Sequence, residues 1–444
     1  MRAPAHLSSD LVVVGGGFGG LTAALRAQEL GSRVVILERS ELAPGWSNSR
    51  MSGAMFHIGG SPPWADPNDV ADKLLEAGEG YLSEPLVRAI TASSHRAYLW
   101  TRAHGIRYVK LRGAPVMAPV RPNRRGPVWV RRGADVSVLK LYKSFVDAGG
   151  RYLSGVEAHT VQMSAQKLIG VVAREVESGH RVDFTCRALV LADGGFQANL
   201  DLLRQHAGIS RPENIIQRGA GTGAGTSLTI ALELGAKLVN PQALYAHLLH
   251  RDATRIPDIG HYPMLDRLAT ASLLIGPDGR RFCDERSGGI SAANRIARMA
   301  DPASTWIVFD RTLWETAGRV HIVPPNPNLL LAGARIESAD NLSELARLMG
   351  VDSAALSNAV QSFATPLAPP YLAIPVGVGL TFTMGGPLVD SHARVLGPTG
   401  PISGLYAVGG AAGGFQGGPR PAYGAGIAAA ITLGLLAGED AAAA

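Results

Sequence analysis

The chain has 444 residues, enough for two domains and a sizeable core, with 46% apolar and 18% charged residues, as in a soluble globular protein. Its net charge of +6 suits an anionic ligand without requiring one. The two cysteines, Cys186 and Cys283, exclude a disulfide framework, a cysteine-rich zinc site and a four-cysteine iron–sulfur cluster, and no C-x-x-C-H haem attachment sequence occurs.

The opening MRAPAHLSSD lacks the apolar core of a signal peptide, so the expected location is cytoplasmic with reduced thiols. Asp10 then precedes LVVV, a short buried strand. GGGFGG follows at once, and LTAALRAQELG places Leu21, Ala24, Leu25 and Gln28 at helical spacing before Gly31 closes the helix. RVVILE is the next buried strand. The whole is one strand–helix–strand unit of about thirty residues, the crossover that parallel strands need.

The run RPNRRGPVWVRRG (121–133) carries five arginines around Trp129. It reads as a solvated loop near an anionic ligand in preference to a nucleic-acid surface, because the remaining charge is mixed. A helix around 138–148 leads into β-rich sequence to 195, and 196–240 turns helical again. Residues 241–375 change character, setting the helical patterns NLSELARLMG and DSAALSNAVQSFA among Pro-rich pieces, with Asn341 and Asp352 as N-caps and Gly350 as a stop. Glycine density returns beyond 380. GGAAGGFQGGPRPAYGAG (409–426) holds eight glycines, and the GAGIAAAITLGLLAG that overlaps it is too short and small-sided for a membrane span. It reads as a buried helix packed closely on a neighbour.

Gly15, Gly17 and Gly20 form G-x-G-x-x-G between strand and helix. The first permits a tight turn, the second lets a pyrophosphate approach the backbone, and the third lets helix pack on strand. The helix N-terminus then offers free N–H groups to phosphate. Glu38 ends the second strand, placed to accept hydrogen bonds from an adenosine ribose and to repel a 2′-phosphate. The unit alone leaves NAD and FAD both open.

VVVGGGFGGLTAALRAQELGSRVVILER resembles the opening of FAD-dependent oxidoreductases of the fumarate reductase/succinate dehydrogenase flavoprotein superfamily. SNSRMSGAMFH, RALVLADGGFQAN, GPDGRRFCDE, FTMGG and GLYAVGG follow in that family's order across the whole chain. The resemblance implies an α/β fold: a Rossmann-like FAD-binding domain of glutathione-reductase type, residues 1–240 and 376–444, with an inserted α+β capping domain, 241–375. It places FAD against Gly15, Gly17, Phe18, Gly19, Gly20, Glu38 and Arg39. Asn48, Ser49, Ser52, Gly53, Val156, Ala192, Asp193 and Gly194 extend that set, and Gly409, Gly410, Ala425, Gly426 and Ile427 complete it. In this family the C-terminal glycine loop runs along the isoalloxazine, so the bare backbone implies contact with the flavin.

Several positions depart from the family. Phe382 stands where fumarate reducers carry a histidine before T-M-G-G, and RFCDERSGG has glycines where a proton-delivering arginine sits. Arg420 keeps the substrate-carboxylate arginine. Arg50 occupies the place of the histidine that links FAD covalently in succinate dehydrogenases, so non-covalent FAD is expected. The tail PAYGAG is similar to that of 3-ketosteroid Δ1-dehydrogenases, where a tyrosine hydroxyl and a glycine N–H bind the ketone oxygen. Gly426 matches that glycine, and Tyr423 is offset by one position.

These features imply desaturation next to a carbonyl: loss of an α-proton and transfer of a β-hydride to flavin N5. Gly426 N–H and the Tyr423 hydroxyl are the expected oxyanion donors. The base falls among Tyr245, His247, His261 and Tyr262 of the cap, each of which also reads as an ordinary packed residue. The expected substrate is a small cyclic ketone bearing a carboxylate held by Arg420, such as 4-oxocyclohexanecarboxylate. Tricarballylate-like polycarboxylate oxidation, enoate reduction and a non-catalytic flavoprotein are the alternatives. Electrons would pass to an external acceptor, whether oxygen, a quinone or a separate protein; no metal, nucleic acid or membrane span is expected.

Overall fold

The structure is a computed structural model that describes residues 6–110, 116–119, 133–252, 263–321 and 323–444. The chain divides into two compact units. The first comprises Met1–Asn199, Gly219–Ala243 and Phe382–Ala444; the second comprises Leu200–Arg218 and Leu244–Thr381.

In the first unit LVVV forms a fully buried strand, Leu11–Val14, between parallel strands Val34–Glu38 and Ala188–Leu191. A strand buried on both faces is what an unbroken apolar run requires. Arg151–Ser154 lies beyond Val34–Glu38, and Gly400–Ala407 followed by Arg394–Gly397 completes the six-stranded sheet on the other side. A second, four-stranded sheet is built from His6–Ser8, Arg181–Thr185, Lys167–Glu175 and Val156–Ser164.

The helices Phe18–Glu29 and Ile427–Ala443 pack closely. A Cβ on Gly434 would lie 2.5 Å from the Gly19 carbonyl oxygen and 2.9 Å from Thr22 Cβ; one on Gly438 would lie 2.6 Å from the Ala23 carbonyl oxygen. These glycines therefore allow backbone-to-backbone approach. Contacts advance in the same direction on both helices, so they run parallel. The acidic C-terminal end of the second helix, unfavourable against the helix dipole, is held by cations. Arg26 Nε meets Glu439 Oε1 at 3.0 Å, Arg394 Nε meets Asp440 Oδ2 at 2.7 Å, and the Tyr406 hydroxyl donates to the same oxygen at 2.7 Å.

In the second unit the long strand Tyr371–Thr383 pairs with Thr305–Asp310 and Glu337–Ala339, antiparallel, and with Ile216–Gln217, parallel. Leu342–Met349 is capped by Asn341, whose side chain accepts from Glu344 N at 2.9 Å, and stopped by Gly350 at φ 71°. Asp352 caps Ser353–Gln361 by accepting from Ala355 N at 2.7 Å. Leu345, Met349 and Leu356 close a core over Leu273, Trp306 and Val308.

The unit bounds differ from the 241–375 read from sequence. Leu200–Arg218 joins the second unit because Ile216–Gln217 adds to its sheet, and the unit runs to Thr381 because the long strand carries it there. Residues 241–243 stay with the first, where Met384 N donates to the Ala243 carbonyl at 2.8 Å.

Valine at 434 forces the two parallel helices apart. Gly434→Val is expected to lower stability by about 1–3 kcal/mol, the usual cost of overpacking, and to reduce bound flavin per protein. Chemical denaturation and the flavin-to-protein absorbance ratio of the purified protein check this.

Candidate active site

The dinucleotide turn is built from contacts that forbid side chains. Gly15 has φ +100°, and a Cβ there would lie 2.6 Å from the Ala192 carbonyl oxygen and 2.7 Å from Asp193 Cα. A Cβ on Gly20 would lie 2.0 Å from the Gly15 carbonyl oxygen. Gly17 caps the helix Phe18–Glu29, and Ser49 Oγ accepts from Phe18 N at 3.0 Å. Gly19 sits against Val408 and the Ala430 carbonyl. The turn, the Ala192–Gly194 segment and the Gly409–Gly410 segment thus meet; a Cβ on Gly410 would be 3.5 Å from Gly194 Cα.

Glu38 is fixed at the strand end. Its Oε2 accepts from Gly16 N at 3.0 Å and its Oε1 from Ser40 N at 2.9 Å. Arg39 turns outward toward Glu157, 3.5 Å away. Asn48 Oδ1 accepts from Ala220 N at 2.6 Å, and Ser52 Oγ both donates to the Ser49 carbonyl and accepts from Ala54 N, just past Gly53. Arg50 forms a buried ion pair with Asp135, donates to the Pro44 carbonyl at 2.9 Å and lies 5.5 Å over the Trp46 ring. Val156 is buried at the start of its strand. Asp193 Oδ2 accepts from Ser227 N at 3.3 Å, while its Oδ1 is buried with no partner among the described residues; burial pushes its carboxyl up to about 6.

The second helix start gathers a different set. Gly426 is the N-cap of Ile427–Ala443, just after buried Ala425, and its N–H donates to the Tyr423 hydroxyl at 3.0 Å. The Phe382 ring edge is 3.8 Å from a Cβ built on Gly426, and its centroid lies 6.5 Å from that of Tyr423. The two expected donors are therefore bonded to each other, amide to phenol oxygen, in place of pointing side by side.

His57 is the residue that sequence reasoning passed over. Its ring stands T-shaped to Tyr423, with centroids 6.2 Å apart, and its Nδ1 accepts from Gly60 N at 3.2 Å, which puts the proton of the neutral ring on Nε2. Gly59 N donates to the Gly424 carbonyl at 2.6 Å and so clamps this loop to the Tyr423 loop. Burial lowers the His57 pKa, favouring the neutral ring. Its contact with Tyr423 spans more than 360 residues of chain, and no local spacing signals it.

Arg420 is not brought to this cluster by any described contact. Its side chain is 73% exposed, with Nε 3.5 Å from Glu79 Oε1. In the second unit Tyr245 and His247 are together, rings T-shaped with centroids 4.9 Å apart. Arg281 makes a two-pronged pair with buried Glu285, Nη2 to Oε2 at 2.6 Å, so the R-F-C-D-E element is held by its own ion pair. His261, Tyr262 and the basic run 121–132 lie outside the described residues. Among the described residues no group of three or more His, Cys, Asp or Glu side chains is placed to hold a metal ion, and no helix is long and apolar enough to cross a membrane.

A buried parallel strand, a glycine turn that leaves no room for side chains, a helix start and a carboxylate closing the next strand define a dinucleotide-binding α/β protein. The chain belongs to the family FAD_binding_2, described as FAD binding domain, which matches residues 10–427. It is 25% identical to a fumarate reductase (cytochrome) of Shewanella frigidimarina over 98% of this chain and 77% of that protein. It is 26% identical to a 4-oxocyclohexanecarboxylate 2-dehydrogenase of Sinomonas cyclohexanicum, over 97% and 92%. Among solved structures its fold is that of a 3-ketosteroid Δ1-dehydrogenase from Sterolibacterium denitrificans, with TM-score 0.76 and 19% identity over 98% and 99% of the two chains. The protein is an FAD-dependent oxidoreductase acting on carbon–carbon bonds. The cradle fits the cofactor: Gly15, Gly17 and Gly20 leave bare backbone at a helix N-terminus, Glu38 closes the next strand beside Gly16, and the Gly409–Gly410 and Gly426–Ile427 backbone supplies a second glycine-lined surface.

The raised Asp193 pKa has a signed consequence. Native protein keeps this proton to about pH 6, whereas the unfolded chain releases it near the ordinary value of 3.8. The residue's contribution therefore falls as pH rises through that window. Asp193→Asn, whose amide oxygen still accepts from Ser227 N, is expected to gain stability relative to wild type across it, read by thermal denaturation at stepped pH.

Proposed function

We propose that the protein is a dehydrogenase that introduces a C=C bond next to the carbonyl of a small cyclic ketone. The observation that carries this reading is the Gly426 N–Tyr423 hydroxyl bond of 3.0 Å beside the Phe382 ring. An α-proton becomes acidic enough to remove when the charge growing on the carbonyl oxygen meets preorganised donors. The Gly426 amide donates to the Tyr423 oxygen, so a proton that the phenol directs at the substrate is reinforced from behind, as donors in series strengthen one another. The Gly426 amide also belongs to the positive end of a helix, which favours charge in that direction. Bound FAD supplies the two-electron acceptor that desaturation requires.

Phe382 offers an apolar ring edge where a cationic or hydrogen-bonding group would suit a dicarboxylate, which favours a ring ketone over fumarate. The 4-oxocyclohexanecarboxylate 2-dehydrogenase relative is in keeping with such a substrate. The carboxylate half of the reading rests on Arg420, which grips an anion by exchanging Glu79 for it. The cap supplies the base, with Tyr245 beside His247 as the proposed pair. Arg50, committed to Asp135, supports non-covalent FAD, and electrons leave to an external acceptor.

Anaerobic titration of the yellow protein tests the reading. 4-Oxocyclohexanecarboxylate is expected to bleach the oxidised flavin band and yield an unsaturated ketone. Tyr423→Phe should slow that reduction about a hundredfold, the cost of losing one oxyanion donor. Arg420→Ala should weaken binding of the keto acid about tenfold or more while leaving cyclohexanone binding unchanged, as loss of a charged hydrogen bond would. Bleaching by tricarballylate alone would replace the ketone reading with polycarboxylate oxidation.

A further inference from the structure

The second unit contains a polar cluster whose members are incompletely satisfied. His247 Nδ1 is 3.2 Å from Asp266 Oδ1, with the two side chains 12% and 16% exposed. The other carboxylate oxygen, Asp266 Oδ2, is buried without a hydrogen-bond partner among the described residues, and so is Nδ1 of His321. His321 makes no direct hydrogen bond to Asp266; burial lowers its pKa, and the Asp266 carboxylate opposes that shift. The His321 backbone is at φ +147°, a region that costs energy for any residue with a side chain. At Gly289 a Cβ would come 1.8 Å from Asp266 Oδ1, so the carboxylate fills the place that a side chain would take.

A buried carboxylate oxygen and a buried imidazole nitrogen that lack partners are costly unless something polar lies against them. A water needs two to four such partners, and the site offers an acceptor and an imidazole nitrogen. Strained backbone held at a polar cluster points the same way, because the surrounding structure must maintain it.

We propose that His247, Asp266 and His321 form a buried proton relay in which Asp266 accepts the Nδ1–H of His247 on one oxygen and a water bound to His321 on the other. A proton arriving at His247 Nε2 is matched by transfer of Nδ1–H to Asp266 Oδ1; rotation of the carboxyl group then turns that O–H to the water, which passes a proton to one nitrogen of His321 as the other nitrogen releases one. Only protons are transferred, and the carboxylate ends as it began. Burial is the largest influence on His321 and keeps its ring neutral, able to accept and donate at once. His321 is thus a positioning and proton-carrying residue one step behind the Tyr245–His247 pair. The inference rests on the reading that the second unit supplies the base.

The test is a pH titration of ring resonances in ¹⁵N-histidine-labelled holoenzyme, comparing wild type with His321→Phe, His321→Gln and Asp266→Asn. A relay requires that His321→Phe move the His247 midpoint by about half a pH unit or more, and that Asp266→Asn move both rings. Glutamine, which does not titrate, serves the same comparison should phenylalanine impair folding. With a ketone that reduces the flavin, His321→Phe should slow reduction about tenfold at unchanged substrate affinity, with partial recovery in His321→Gln. Independent titration of the two rings overturns the relay even if ketones reduce the flavin. Coupled titration in a protein that no ketone reduces upholds the relay and removes the desaturase reading.

Discussion

Everything in the first unit depends on how closely the C-terminal helix lies against the first helix of the dinucleotide fold. Gly434 and Gly438 meet Gly19, Thr22 and Ala23 with no room for a Cβ, and the ion pairs of Glu439 and Asp440 secure the far end. The helices are parallel, so their N-termini point to the same side. Gly434 lies eight residues past the cap Gly426 and its neighbour Gly19 two past the cap Gly17, so the second helix begins roughly 9 Å further out along the shared axis. The two helix starts thereby present backbone amides at two levels. One level lies beside Glu38 and Ser49, the other beside Tyr423 and Phe382. Small residues in the tail are a condition of that stagger, since larger ones would move both amide sets together.

Several positions that the family resemblance marks out have local explanations of their own. Phe382 lies at Gly426, where it contributes an aromatic edge and no charge. Gly289 is bare because the Asp266 carboxylate occupies its side-chain space. Arg281 is spent on Glu285, and Arg420 stands at the surface near Glu79. Phe382 and Gly289 thus bring no cation to these positions, and Arg281 is committed to its own ion pair. On the proposed reading, the neutral groups at this helix start suit the oxygen of a ketone better than a pair of carboxylates.

Much of this was legible in the sequence where the determinants are local. The strand–turn–helix unit follows from LVVVGGGFGG because glycine spacing and apolar runs act over a few residues, and Asn341, Gly350 and Asp352 cap and stop helices for the same reason. The terminal run of small residues announced close packing, though not its partner. Residues that long-range contacts define were not legible. His57 matters through Tyr423, Asp266 through His247 and Gly289, and the bonding of Gly426 to Tyr423 through a turn whose spacing differs by one from the pattern it resembles. Arg420 shows a related limit: a motif fixes its position in the chain but not the direction of a long, flexible side chain.

The one-residue shift of Tyr423 carries a chemical consequence of its own. With three residues from tyrosine to glycine, the phenol oxygen folds back onto the amide that begins the helix, and the two donors act in line. Donors in line deliver a single hydrogen bond to the substrate, reinforced from behind, where donors side by side would deliver two. Such a site, on the proposed reading, gives up some oxyanion stabilisation and gains direction, because the phenol accepts from Gly426 at its oxygen while its ring lies near those of Phe382 and His57. On the proposed reading, the direction of that one O–H sets which face of a cyclic ketone turns toward the cofactor. Substrate orientation then depends on the clamp between Gly59 and Gly424 as much as on the groups that touch the substrate.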